Sequence, residues 1–209
     1  MFTAGLAHRA ALGAIFSIIA LSVLAQPVPR SDWKVGDTWT VGITANAGIG
    51  GTTRREEVRV VKEAGETGYQ VENVVKGGSS PPPAPEMLVL SRDHNFMSPT
   101  GSGGAMQEFK WLQWPLEVGR SYQFDVNFQE QVQTWKGKAV AWEDVEVPAG
   151  KFKALRLEYE RSGSNRNAAS ETIWYAPDAK VVVKRIQARP GGQRSRDITT
   201  TELLAYKFN

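Results

Sequence analysis

The residues able to do chemistry are few, and their spacing decides little. His94 is the only histidine beyond the first 25 residues, and it lies in SRDHNFM (91–97) beside Asp93 and Asn95. An acid–base pair would need both side chains on one side of the backbone, and neighbours on a strand point to opposite faces. Asp and Asn flanking one residue instead favour a tight turn with local hydrogen bonds. Paired carboxylates could serve glycoside hydrolysis, but Glu56-Glu57 and Glu143-Asp144 are sequence neighbours, so each pair straddles a strand. Glu158 and Glu160 share a face with Arg156 and read as a solvated edge. Gln123, Asp125 and Asn127 lie along one strand face rather than on the looped backbone that calcium requires. Ser91 and Ser121 have no elbow of glycines around them. GIGG (48–51) and GSGG (101–104) precede no helix that could cradle phosphate. These patterns predict neither a catalytic centre nor a metal or cofactor site.

The aromatic residues are the stronger signal. All seven tryptophans lie between residues 33 and 174. FKWLQWPL (109–116) reads as a strand with Phe109 and Trp111 on one face and Leu112 and Trp114 on the other. Core packing is the default for such rings, since they bury much area per residue. An open face would make an aromatic platform, and the candidate ligand-binding residues are Trp111, Trp114, Trp135, Trp174 and Tyr175. The basic stretch KRIQARPGGQRSR (184–196) reads as a solvated hairpin, with lipid headgroups or lipopolysaccharide phosphates as the functional alternative.

The elements that must position these residues are β throughout. Trp39, Val41 and Ile43 alternate with polar residues or glycine, as do Tyr122, Phe124, Val126 and Phe128. Period-two alternation marks a strand with one dry and one wet face. Val58 with Val60, Tyr69 with Val71, and Leu155 with Leu157 and Tyr159 repeat it, and Leu204, Tyr206 and Phe208 fall on one side of a last strand. EAGETG (63–68) and RPGGQ (189–193) are hairpin loops. Pro148-Ala149-Gly150 fits a three-residue hairpin, with Gly150 at a positive φ. KGGSSPPPAPE (76–86) and RSGSNRNAAS (161–170) are surface loops on composition. No long stretch has helical spacing.

An internal echo organises these strands. KVGDTWTVGI (34–43) resembles EVGRSYQFDV (117–126), and Val60 with Ala64-Gly65 recurs as Val145 with Ala149-Gly150. Glu86, Leu88 and Asp93 recur as Glu171, Ile173 and Asp178. A duplicated β-meander follows, its halves covering one another's dry faces.

Composition bounds the setting. Residues 1–9 carry one firm positive charge, at Arg9, and an apolar run to Ala25 precedes Gln26-Pro27. This is the layout of a secretory signal peptide over residues 1–25, and its apolar run, about 15 residues, falls short of the roughly 20 that span a bilayer. Residues 26–209 are then a single β domain exported to the periplasm. The chain has no cysteine, so packing alone holds it and no lipid is attached through a thiol. A net charge of +3 is too small to point to nucleic acid.

WEDVEVPAGKFKALRLE (142–158), IWYAPDAKVVVKRI (173–186) and the preceding WPLEVGRSYQF (114–124) resemble a family of uncharacterised bacterial exported proteins. That family carries a V-P-A-G-x-F/Y corner followed by W-Y-A-P. The resemblance implies a curved antiparallel sheet similar to the half-barrels of periplasmic lipoprotein carriers, without a recognisable helix for a lid, and it assigns no catalytic residue.

The expectation is therefore an all-β antiparallel half-barrel or paired-sheet sandwich. Its function is read as a periplasmic, non-catalytic binding module for a lipid or other hydrophobic small molecule. The alternative is a structural or protein-interaction component of the envelope, touching a membrane without spanning it. An envelope-polymer hydrolase is the third class, and an outer-membrane barrel is disfavoured by the lack of continuous apolar belts.

Overall fold

The computed structural model describes residues 27–47, 50–77, 81, 83–100, 105–128, 131–162, 169–190 and 196–209. The signal peptide expected over 1–25, the run GSGG and parts of the loops at 48–51, 76–86, 161–170 and 189–193 lie outside the described residues.

Among the described residues, twelve strands form one antiparallel sheet. They are β1 (Thr38–Asn46), β2 (Thr52–Ala64), β3 (Gly68–Lys76), β4 (Glu86–Ser91), β5 (Phe96–Pro99), β6 (Met106–Glu108), β7 (Ser121–Phe128), β8 (Gln131–Val147), β9 (Gly150–Ser162), β10 (Ser170–Ala176), β11 (Val181–Pro190) and β12 (Arg196–Lys207). Their order across the sheet is β6-β5-β4-β3-β2-β1-β12-β11-β10-β9-β8-β7. The chain thus starts mid-sheet, meanders to one edge, crosses to the other edge through 109–120, and meanders back until β12 pairs with β1. The sheet curves into a nearly closed barrel, so the two halves join edge to edge rather than stacking as a sandwich.

The echo in the sequence has a structural counterpart at the two glycine turns. Gly36, at φ 90, donates to the Val61 carbonyl at 2.9 Å, while Gly119, at φ 88, donates to that of Ala139 at 2.8 Å. The match then breaks, because β8 runs 17 residues against 13 in β2.

Edges β6 and β7 are joined by a side chain. The Gln107 carboxamide donates to the Asn127 carbonyl at 2.9 Å and accepts from the Asn127 N–H at 2.8 Å. A single amide thereby satisfies backbone groups that an exposed edge would leave open.

Burial follows the alternation on most strands. Trp39, Val41, Ile43, Tyr122, Phe124, Val126, Leu155, Leu157 and Tyr159 all face the barrel interior and are buried. Two expectations are corrected. On β2 the inward residues are Glu57, Arg59 and Val61, which pair across to Val41, Trp39 and Val71, so Val58 and Val60 face outward. On β12 an irregularity opposite Thr40 and Val41 shifts the register, so Leu203 is buried and Tyr206 lies opposite Trp39, leaving Leu204 on the other face. Outside, Lys62 pairs with Glu72 at 3.0 Å and Lys184 with Glu202 at 2.8 Å, a charged, water-facing surface.

The VPAG corner is architectural. Pro148 and Ala149 alone connect β8 to β9, because Val147 and Gly150 still pair, so the hairpin is one residue tighter than expected. Gly150 has a φ of 136, and the Ala149 N–H donates to the Leu203 carbonyl at 3.0 Å, anchoring the corner on β12.

Candidate functional site

The segment expected as a strand at 109–116 is instead an irregular crossing, closed by a cis Trp114-Pro115 bond. Pro115 has no N–H and cannot join a ladder, so side chains hold the crossing. Asn95, 2% exposed, accepts from the Leu112 N–H and donates to its carbonyl, both at 2.8 Å. The Tyr159 hydroxyl donates to the Trp111 carbonyl at 2.6 Å, and Trp114 Nε1 donates to the Asp93 carbonyl at 3.1 Å. Leu116 exchanges backbone hydrogen bonds with Val28 at 2.8 and 3.1 Å. Tyr159 can reach across because Gly137 lies beneath its ring; a Cβ there would fall 2.2 Å from the ring carbon Cδ1. Burial pushes the Tyr159 hydroxyl well above the usual phenol range.

One end of the lumen is packed with rings. Trp33 stacks on His94 at 3.9 Å and contacts Trp39 at 4.7 Å and Tyr69 at 5.1 Å. The Trp33 indole N–H donates to the Lys180 carbonyl at 3.0 Å. His94 sits in the expected turn, with φ 64 and its N–H on the Ser91 carbonyl at 3.0 Å. It is nonetheless buried, and burial followed by the nearby Arg30 guanidinium lowers its pKa to about 3. The ring is wedged between the indoles of Trp33 and Trp114, and Asp32 lies near enough to offset only part of that shift, so a neutral packing group results.

Inside the barrel are two adjoining chambers, of about 160 Å³ and about 510 Å³, sharing Arg59, Leu90, Phe96, Trp111 and Arg185 as walls. The smaller chamber is otherwise mainly aromatic and aliphatic, with Trp33, Trp39, Val41 and Ile173 among its walls. The larger has Leu88, Phe109, Val126 and Trp135 on its apolar side and Glu57, Asn73, Glu86, Glu171 and Gln187 on its polar side. The interior is therefore open and amphipathic, with charged groups on a wall where the sequence pointed only to aromatic rings and a hydrophobic ligand.

The charges are ordered. Glu57 accepts from Arg59 at 2.7 Å and Arg55 at 3.0 Å, and Glu171 pairs with Arg185. For Glu57, burial alone would raise the pKa, but the two guanidinium groups outweigh it and hold the carboxyl below its ordinary value. Arg185 also lies over the Trp111 ring at 5.3 Å.

Of the five candidate residues, Trp111 and Trp135 meet at the lumen, with ring centroids 4.8 Å apart. Trp114 and Tyr175 pack edge to face at 5.0 Å beside the lumen, and Tyr175 is fully buried. Trp174 turns to the opposite strand face, where its Nε1 donates to Glu143 Oε2 at 2.8 Å. Arg59 and Glu171 escaped the sequence reading as site residues, Glu57 entered it only as half of a carboxylate pair, and Arg185 only within the basic stretch. One signal was present: Arg55, Glu57 and Arg59 alternate in sign at a spacing of two, placing all three on one strand face. Likewise, Arg185, Gln187 and Arg189 of the basic stretch form one set of alternate positions and line the larger chamber, so the stretch is the expected hairpin, of β11 with β12, but these three side chains border the lumen.

Fold and site define an all-β barrel with a ligand-sized, amphipathic lumen. Residues 105–192 match the family model DUF3108, described as a protein of unknown function. That span takes in both the V-P-A-G-x-F and W-Y-A-P blocks and bears out the family resemblance there. Comparison with curated proteins gives no match. Among solved structures, the chain is similar to a candidate exported protein with a YmcC-like fold from Bacteroides fragilis, at 14% identity, 87% of this chain, 98% of that one and TM-score 0.49. It is also similar to a candidate lipoprotein from Parabacteroides distasonis, at 12% identity, 86% and 97% coverage and TM-score 0.43. A candidate outer-membrane lipoprotein-sorting protein domain from Vibrio parahaemolyticus follows at 11% identity, 86% and 87% coverage and TM-score 0.34.

Proposed function

We propose that this protein is a periplasmic, non-catalytic binding module whose barrel lumen holds a lipid or other hydrophobic ligand. The observation that carries this reading is the pair of adjoining chambers, about 510 Å³ and about 160 Å³, walled in part by Trp111, Trp135, Phe96 and Leu90. Ligand sites are concave, largely preformed, and combine apolar walls with a few placed polar groups. A core serving stability alone would be filled, since interiors pack to crystal-like density. Export to the periplasm rests on the leader pattern at 1–25.

The test is mass spectrometry of small molecules retained by the full chain purified natively from a periplasmic extract, with titration of its tryptophan emission by dodecanol. A co-purifying amphiphile and a saturable emission change are expected. No retained molecule together with no response to dodecanol would overturn the reading.

A second reading, an envelope interaction module, draws on Met87 and Val89, 49% and 39% exposed on the outward face of β4. Cross-linking in cells would recover one defined protein partner under this reading, and none under the first.

A further inference from the structure

We propose that the charged side of the lumen is a headgroup site for an anionic amphiphile, recognised by Arg59 and Arg185. This rests on the lumen being a binding cavity and adds the chemical class of its ligand. Both arginines border both chambers, so they stand where the aromatic pocket meets the polar wall.

The burial of the ion pairs is lopsided. The Glu57 side chain is 8% exposed and its partner Arg59 is 28% exposed; the Glu171 side chain is 2% exposed and Arg185 is 31% exposed. The acids, though on the wall of the larger chamber, are the more buried partners, so a ligand in the lumen meets chiefly the guanidinium groups. Buried ion pairs rarely improve stability over apolar packing, which leaves presentation of the arginines as their role.

The donors are also not exhausted. A guanidinium has five N–H donors. Arg59 commits Nη2 to Glu57 and Nε weakly to Asn73 at 3.4 Å, and Arg185 commits Nε to Glu171. The remaining groups can take a carboxylate or phosphate as a fork. Glu86, the other acid on this wall, has its Oε1 engaged by Asn73 Nδ2 at 3.0 Å. The arginines come from β2 and β11 and both border the two chambers, so a headgroup where the chambers meet lies beside both while its tail runs along the apolar walls.

The experiment is calorimetric titration of the full chain with dodecyl phosphate, dodecanol, dodecyltrimethylammonium and inorganic phosphate. Dodecyl phosphate is expected to bind about tenfold or more tighter than dodecanol, the worth of a charged hydrogen bond. Arg59→Gln and Arg185→Gln should each shrink that gap. Because either change strands a buried carboxylate, E57Q/R59Q and E171Q/R185Q provide neutralised versions of each pair. An equal affinity for dodecyl phosphate and dodecanol would overturn the headgroup site and leave the cavity reading intact. So would a preference for dodecyltrimethylammonium, or a phosphate preference that survives in the neutralised pairs. Inorganic phosphate binding as tightly as dodecyl phosphate would make this a free-anion site and equally defeat the proposal. Failure of all three amphiphiles to bind would remove the binding reading itself.

Discussion

The carboxamide of Asn95 holds Leu112 by both backbone groups, accepting its N–H and donating to its carbonyl at 2.8 Å each. A side chain here completes what a strand neighbour would otherwise supply. Both partners are buried, so Asn95→Ala leaves an N–H and a carbonyl unmet, at about 1–3 kcal/mol each. Urea unfolding followed by tryptophan emission should show a loss of about 2–4 kcal/mol. Asn95→Asp should also destabilise, since it loses the donor and sets a second carboxylate beside Glu108, whose Oε1 now accepts from Nδ2 at 2.9 Å. An unchanged midpoint for both variants would show that the crossing is held elsewhere.

Gln107 plays the matching part at the seam, but in an exposed setting. Gln107→Ala should cost only about 1 kcal/mol in global stability, because water replaces the lost bonds. Its signature is local: the Asn127 amide should exchange with solvent faster, while amides of β1 and β12 keep their protection.

His94 makes stability pH-dependent below neutrality. Its ring has a pKa of about 3 in the fold, against about 6.5 when unfolded. Between those values the unfolded chain binds the extra proton. The contribution of the neutral ring is thus complete above about pH 6.5 and declines as pH falls toward 3, by up to about 1.4 kcal/mol per unit. His94→Asn tolerates the φ of 64 and should flatten the change between pH 7 and pH 5 by about 2 kcal/mol. Parallel curves for the two proteins would contradict the burial assigned to this ring.

Trp111 joins the crossing to the lumen, bordering both chambers and touching Phe124, Trp135 and Tyr159. Trp111→Ala should leave a folded barrel by circular dichroism and weaken amphiphile binding by about tenfold, or about 1.4 kcal/mol. Full affinity in this variant would place the ligand outside the lumen.

Gly137 tests the packing beneath Tyr159. Gly137→Val drives a side chain into the ring and should cost about 1–3 kcal/mol. Tyr159→Phe keeps the ring but removes the bond to the Trp111 carbonyl, so its loss should be the smaller of the two on thermal unfolding.

The local signals carried much of this fold. Alternation at Trp39, Val41 and Ile43 and at Tyr122, Phe124 and Val126 identified strands and their dry faces, because period-two geometry belongs to any extended backbone. The glycine turns at Gly36 and Gly119 announced two related halves, since a positive φ favours glycine. Tertiary structure alone decided the rest. Curvature turned Glu57 and Arg59 inward and Val58 and Val60 outward, and hydrophobicity cannot report a face whose charges are neutralised by partners on the same wall. The segment 109–116 looked extended by its alternating faces, yet its ties come from Asn95 and Tyr159, remote in the chain. Likewise, which of five aromatic candidates would meet a cavity depended on the paths of β8, β10 and the crossing together, and only Trp111 and Trp135 reached it. Local sequence sets backbone conformation residue by residue; the cavity belongs to closure of the sheet, which exists only once distant strands have paired.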